Sequence, residues 1–137
     1  RNEKAERLFR ETVEEHPQLH EAAYSLGLLL VEQKKYQDAV KYLRKAAKGI
    51  PERGRIQYNL GLLLQQLKRD AEAEAAFLKA LETDPENLDF LYALADFYLK
   101  RGRFQEAKDI AEQMVSAHPD HRSSQELLRH LKRLTDS

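Results

Sequence analysis

The sequence predicts an all-α chain of antiparallel helix pairs repeating every 34 residues, and three observations predict it. The four prolines stand at Pro17, Pro51, Pro85 and Pro119, three equal intervals of 34 residues, and a period of roughly 20–50 residues marks stacked supersecondary units. Residues at fixed distances from the prolines repeat with them: Tyr24, Tyr58 and Tyr92; Leu26, Leu60 and Leu94; Gly27, Gly61 and Ala95; Ala39, Ala73 and Ala107. Within one repeat the apolar residues follow helical spacing twice, as Leu60, Gly61 and Leu64, then as Ala73, Phe77 and Ala80, with a break at 68–70.

Each element follows in chain order. Before Pro17 the same register puts Ala5 and Phe9 where Ala39 and Leu43 sit one period later, so residues 1–19 are the second helix of a truncated repeat. Its usual partner helix would lie upstream of Arg1, and Leu8, Phe9 and Val13 are therefore expected to be partly uncovered. Opening at Arg1 rather than Met, the chain reads as a fragment or processed product of a longer polypeptide. Complete repeats span 20–53, 54–87 and 88–121. Small residues at Gly27, Gly61 and Ala95, facing Ala39, Ala73 and Ala107, let the paired helices approach closely. Each proline ends a second helix, because it lacks an amide hydrogen and disfavours helix in the residue before it. Asp84-Pro85-Glu86-Asn87 and His118-Pro119-Asp120 carry turn chemistry. Residues 122–137 form a capping helix and tail, with Leu127, Leu128, Leu131 and Leu134 apolar and Arg122, Arg129, Lys132 and Arg133 wet. The 137 residues thus read as a single array rather than one globule.

Composition narrows the function. Lys plus Arg number 23 and Asp plus Glu 23, interspersed along the chain, so no global basic field favours nucleic acid or an anionic membrane. Cysteine is absent, which excludes disulfides, thiolate nucleophiles and thiol zinc sites and leaves the compartment open. No apolar run approaches the ~18 residues of a spanning helix, so a soluble protein without membrane insertion is expected, and no targeting segment is evident. His16 and His20, and His118 and His121, flank prolines at turns and lack carboxylate or thiol company at fixed geometry, a poor metal site. No Gly-rich phosphate loop, nucleophile elbow or paired carboxylate is found; neither catalysis nor a cofactor is expected. Lys41, Arg44, Lys45 and Lys48 form a basic stripe on a second helix and read as a solvated outer face rather than an RNA-binding one.

The stretches "AAYSLGLLL…YQDAVKYLRKA…P" and "QYNLGLLL…AEAAFLKAL…DP" resemble the tetratricopeptide repeat family, whose unit of the same length has a Leu-Gly pattern in its first helix, Ala and an aromatic in its second, and a terminal proline. The resemblance covers nearly the whole chain and implies a right-handed α-solenoid. One departure is Asp70, where Tyr36 and Phe104 keep the usual aromatic; its carboxylate suits a helix cap.

Taking about 100° per residue, each first helix has three stripes. Ala23, Leu26, Gly27 and Leu30 face the partner helix. Ala22, Leu29 and Gln33, with Ile56, Leu63, Leu67, Phe90 and Phe97 in later repeats, are expected to pack on the preceding repeat. The third stripe comprises Glu21, Tyr24, Leu28 and Val31; Arg55, Tyr58, Leu62 and Gln65; Asp89, Tyr92, Asp96 and Leu99. The family resemblance implies that this stripe lines a concave groove where partner peptides bind. The tyrosines either pack side by side for stability alone or also serve a ligand with a large face and a hydroxyl. Leu28 and Leu62 suggest a protein or peptide with apolar anchors, bordered by Asn59, Gln65 and Gln66 for backbone hydrogen bonds. The family's acidic-tail clamp is not matched: only Asn59 has a counterpart, while Tyr24, Tyr58, Asp89 and Ala93 occupy the cationic positions. Arg55 and Lys100 face Glu21, Glu32, Asp89 and Asp96, so an acidic ligand suits the groove poorly.

The leading expectation is a non-catalytic protein-interaction scaffold. The alternatives are an accessory region of a larger enzyme, since similar arrays occur beside glycosyltransferase and multihaem cytochrome domains, and an oligomerisation segment. Self-association through the exposed amino-terminal helix is also expected.

Overall fold

Two runs of helical periodicity per repeat fold as two helices. The computed structural model describes residues 2–136, and among them the order is α1 (Asn2–Glu15), α2 (His20–Glu32), α3 (Tyr36–Gly49), α4 (Gly54–Gln66), α5 (Asp70–Thr83), α6 (Leu88–Lys100), α7 (Phe104–Ala117) and α8 (Arg122–Thr135), with no strand. The fold is all-α. Helices α2, α4, α6 and α8 begin 34 residues apart, at His20, Gly54, Leu88 and Arg122.

The chain divides into two compact units, residues 1–83 and 84–137. In the first, α1 to α5 pack in succession, each on the next. Leu26, Leu30, Leu43, Ile56, Leu64 and Phe77 are fully buried there. The small residues set the approach. A Cβ added at Gly61 would lie 2.6 Å from the Phe77 ring, and one at Gly27 would lie 2.7 Å from Leu43 Cδ2. Ile56 and Leu63 are buried on α4, which packs on α3. Val13 corrects an expectation: it is 5% exposed, because α1 packs on α2 and turns this residue inward. Leu8 remains 62% exposed and Phe9 half-buried. Arg10 ties α1 to α3, with Nη2 donating to Asp38 (3.1 Å) and the guanidinium 5.7 Å from the Tyr42 ring centroid.

In the second unit α6 packs on α7 and α7 on α8. Leu91, Leu94, Phe97, Met114 and Leu131 are buried. Asn87 caps α6, its side chain accepting from Phe90 N (3.1 Å), which satisfies an amide the helix leaves open. His121 does the same for α8: Nδ1 accepts from Ser124 N at 3.2 Å.

The hairpin turns share one device. After α2, α4 and α6 the chain takes positive φ at Lys34 (62°), Lys68 (63°) and Gly102 (74°). The next amides, Lys35, Arg69 and Arg103, donate back to the carbonyls of Leu30, Leu64 and Tyr98, each at 2.9 Å. This left-handed closure satisfies carbonyls at the helix end. The proline turns differ, with Asn87 N donating to Asp84 O (3.1 Å) and His121 N to His118 O (3.1 Å). Asp70 is itself the first residue of α5 and shares its first turn with Glu72, where negative charge complements the helix dipole.

Candidate functional site

The third stripe is the part of the first helices that the packing leaves in water. On α2, Leu28 is 38% exposed, Tyr24 and Val31 are half-buried, and Glu21 is exposed. On α4, Leu62 is 41% exposed, Tyr58 and Gln65 are half-buried, and Arg55 is exposed. The equivalent leucines Leu28 and Leu62 thus leave the same helical face open in successive repeats. The reason is local. Gly27 and Gly61 turn inward onto the second helices, and the following residue is carried about 100° away.

Two pairings tie the stripe together within the first unit. Asn59 Nδ2 donates to the Tyr24 hydroxyl at 2.7 Å, linking α4 to α2. The Arg55 guanidinium lies 5.2 Å from the Tyr58 ring centroid, within the range of a cation–π contact. These contacts engage the Tyr24 hydroxyl and the Tyr58 ring. They also engage the Asn59 amide that the sequence suggests for a ligand, although its Oδ1 remains an acceptor. Gln66 points elsewhere, with Nε2 donating to the Tyr36 hydroxyl at 3.1 Å. That bond joins the end of α4 to the start of α3.

Arg53 carries a role the sequence does not announce. It sits in the turn before α4, and its Nη1 and Nη2 reach the two Glu21 carboxylate oxygens at 2.8 and 2.5 Å. The hydrogen bond from Arg53 holds the Glu21 carboxyl below its ordinary pKa and raises that of Arg53. The Glu21 carboxylate is therefore compensated by Arg53. Turn position hides Arg53 from a reading based on helical stripes.

The stripe on α6, described within its own unit, carries Asp89, Tyr92, Asp96 and Leu99. Tyr92 is 54% exposed. Lys100 Nζ pairs with Asp96 at 2.9 Å one turn away, so this acid too is balanced locally.

Among the basic stripe on α3, Lys41, Arg44, Lys45 and Lys48 are all exposed. Arg44 pairs with Glu72 of α5, and Arg69 Nε holds the same carboxylate at 2.8 Å. Arg69 first, then Arg44, keeps the Glu72 carboxyl below its ordinary pKa. Among the described residues, no three His, Cys, Asp or Glu side chains group so as to hold a metal ion. No described helix is long and apolar enough to cross a membrane.

Two tetratricopeptide repeat profiles match the sequence, one over residues 1–54 and again over 35–87, the other over 71–131. The chain belongs to the tetratricopeptide repeat family. This fold makes it a protein–protein interaction module, of a kind that is typically non-catalytic. A curated relative, Regulatory protein RapD of Bacillus subtilis (strain 168), is 44% identical over 54 residues, which cover 35% of this chain and 15% of the relative. The match thus spans under a sixth of that protein's length. Among solved structures, MamA superposes with a TM-score of 0.82 at 19% identity, covering 93% of this chain and 75% of MamA. YrrB, described as a tetratricopeptide repeat protein with an unusual peptide-binding site, superposes with a TM-score of 0.80 at 19% identity over 98% of this chain and 70% of its own. The first such domain of Spaghetti (RPAP3), bound to the HSP90 peptide SRMEEVD, gives 0.72 at 19% identity over 86% and 96%. At these identities the likeness is one of fold.

Proposed function

We propose that this tetratricopeptide repeat protein captures an extended segment of a partner protein along the stripe of α2 and α4, with apolar side chains of the segment as anchors. The observation that carries this reading is the pair of exposed leucines, Leu28 and Leu62, beside Tyr24 and Tyr58, whose rings are held by Asn59 and Arg55. Packed helices lie ~8–10 Å apart and an extended peptide advances ~3.3 Å per residue, so about every third ligand residue meets a new helix. Tyrosine provides a large apolar face and a hydroxyl at small entropic cost. Asn59 Oδ1 and Gln65 supply hydrogen bonds to the segment's backbone. The stripe on α6, with Tyr92 and Leu99, offers the same chemistry within its own unit.

YrrB and the RPAP3 domain, by their descriptions, bind peptides, which supports the class of ligand. An acidic tail such as SRMEEVD fits this stripe less well, because Tyr24 and Tyr58 stand where the family's clamp places its cations. Selecting from a random peptide library with the wild-type chain tests the reading. Apolar residues should be enriched at a spacing of about three, and the double variant Tyr58→Ala, Leu62→Ala should lose capture with its helical circular dichroism unchanged. Capture that survives both substitutions overturns the proposal.

Self-association through α1 is a second, separate proposal, favoured by Leu8 at 62% exposure. Light scattering should show a mass rising with concentration, and Leu8→Glu should abolish the rise. A monodisperse monomer at high concentration contradicts it.

A further inference from the structure

The first unit has a second open feature that none of the stripe residues lines. Helices α3 and α5 each pack on α4, and between them lies a cleft of about 680 Å³. Its floor is Leu60 and Leu64 of α4, and its walls present Ala47 from α3 with Ala75 and Ala76 from α5. Alanine walls matter because small side chains let another helix approach closely between two helices.

The charge around the cleft is uneven. At one end Arg44 and Glu72 pair across it and neutralise each other. Further along, Lys48 on α3 and Lys79 on α5 stand on opposite walls, and neither forms an ion pair among the described residues. Glu82 is the one acid at that end. Lys41 and Lys45 extend the positive field along the exposed face of α3. The half-buried Gln57 amide lies in the cleft as well. No aromatic side chain lines it, which disfavours single-stranded nucleic acid, since that ligand relies on base stacking. The apolar lining is recessed between helices, and a membrane surface would need it to protrude.

We propose that this cleft docks an acidic amphipathic helix of a partner protein, its apolar face between Ala47 and Ala75 and its carboxylates against Lys48 and Lys79. Helix-in-groove recognition places apolar residues spaced three and four apart into such a trough. The flanking lysines set orientation and on-rate through complementary charge.

Fluorescence anisotropy with the full chain tests it. The probe is a labelled synthetic helix with Leu at positions three and four apart and Glu between them. Controls are its Lys-for-Glu counterpart, labelled oligouridine, and vesicles of phosphatidylserine in phosphatidylcholine. Saturable binding of the acidic helix is expected, weakened by raised salt and by about tenfold or more in Lys48→Glu, Lys79→Glu. Filling the cleft with Ala75→Leu, at an exposed position, should weaken it as well. Tyr58→Ala, Leu62→Ala should leave it unchanged, which separates this cleft from the α2/α4 stripe. If the charge-swapped protein unfolds, Lys48→Gln, Lys79→Gln replaces it, with a smaller loss expected. The proposal is overturned if the acidic helix fails to bind saturably, if neither the lysine variants nor Ala75→Leu weakens it, or if oligouridine or the vesicles bind in its place with the same dependence on Lys48 and Lys79.

Discussion

Gly61 shows how one missing carbon sets the spacing of a helix pair. A methyl group there would lie 2.6 Å from the buried Phe77 ring, and overpacking of that kind costs roughly 1–3 kcal/mol. Alanine returns about 1 kcal/mol of helix propensity, so Gly61→Ala should melt at a lower temperature than wild type; an equal or higher Tm would show that the ring gives way freely. Gly102 is a different case. Nothing lies within 4 Å of its added Cβ, but φ is +74°. Gly102→Ala therefore costs through backbone conformation alone, by roughly 1–2 kcal/mol, and urea denaturation should report that loss with an unchanged m-value. Glu6 makes stability depend on pH. Hydrogen bonds from Lys35 (2.9 Å) and Arg10 (2.8 Å) hold its carboxyl below its ordinary pKa. A depressed folded-state pKa contributes stability that is present above the unfolded value and lost as pH falls through the folded one. The urea midpoint should drop on acidification below the ordinary carboxylate range, and Glu6→Gln should flatten that drop; an unaltered profile would deny Glu6 a part in it.

At the scale of the element, α8 shows why a helix with so polar a surface stays docked. Ser124 and Leu131 are wholly buried, about two turns apart on the helix that packs on α7, while Arg122, Arg129, Lys132 and Arg133 remain exposed. In register with Gly27, Gly61 and Ala95 this helix has Arg129, a side chain too long for the close approach those small residues permit. Burial of Leu131 then carries much of the docking. Leu131→Ala should cost about 2–5 kcal/mol, and native-state hydrogen exchange should show amides in 122–135 losing protection while those of α2 to α5 keep theirs. Uniform loss across the chain would mean that α8 is not an independently lost element. His121→Ala removes the cap on Ser124 N and should produce a weaker form of the same local pattern, about 1 kcal/mol.

Across the whole molecule, the proline period exposed most of the architecture because a repeat states each structural requirement several times. The helix starts at His20, Gly54, Leu88 and Arg122 keep that period, and the buried Leu26, Leu60 and Leu94 keep it too. What the pattern could not show were features built from unequal partners. Lys34 and Lys68 adopt the left-handed turn that only Gly102 advertises, because the closing hydrogen bonds override lysine's local preference. Arg53 reaches Glu21 from a turn, and Asn59 reaches Tyr24 across two helices; such polar pairs depend on side-chain length and direction rather than on periodicity. The α3/α5 cleft was equally hidden, since it lies between helices that each pack on α4. On the function proposed above, α2 and α4 present a ligand stripe. Amide shift mapping by nuclear magnetic resonance, with a library-selected peptide titrated into the labelled chain, tests it most directly. Saturable shifts centred on Tyr24, Leu28, Tyr58 and Leu62 are expected. Shifts centred instead on α3 and α5, or on α1, would contradict it.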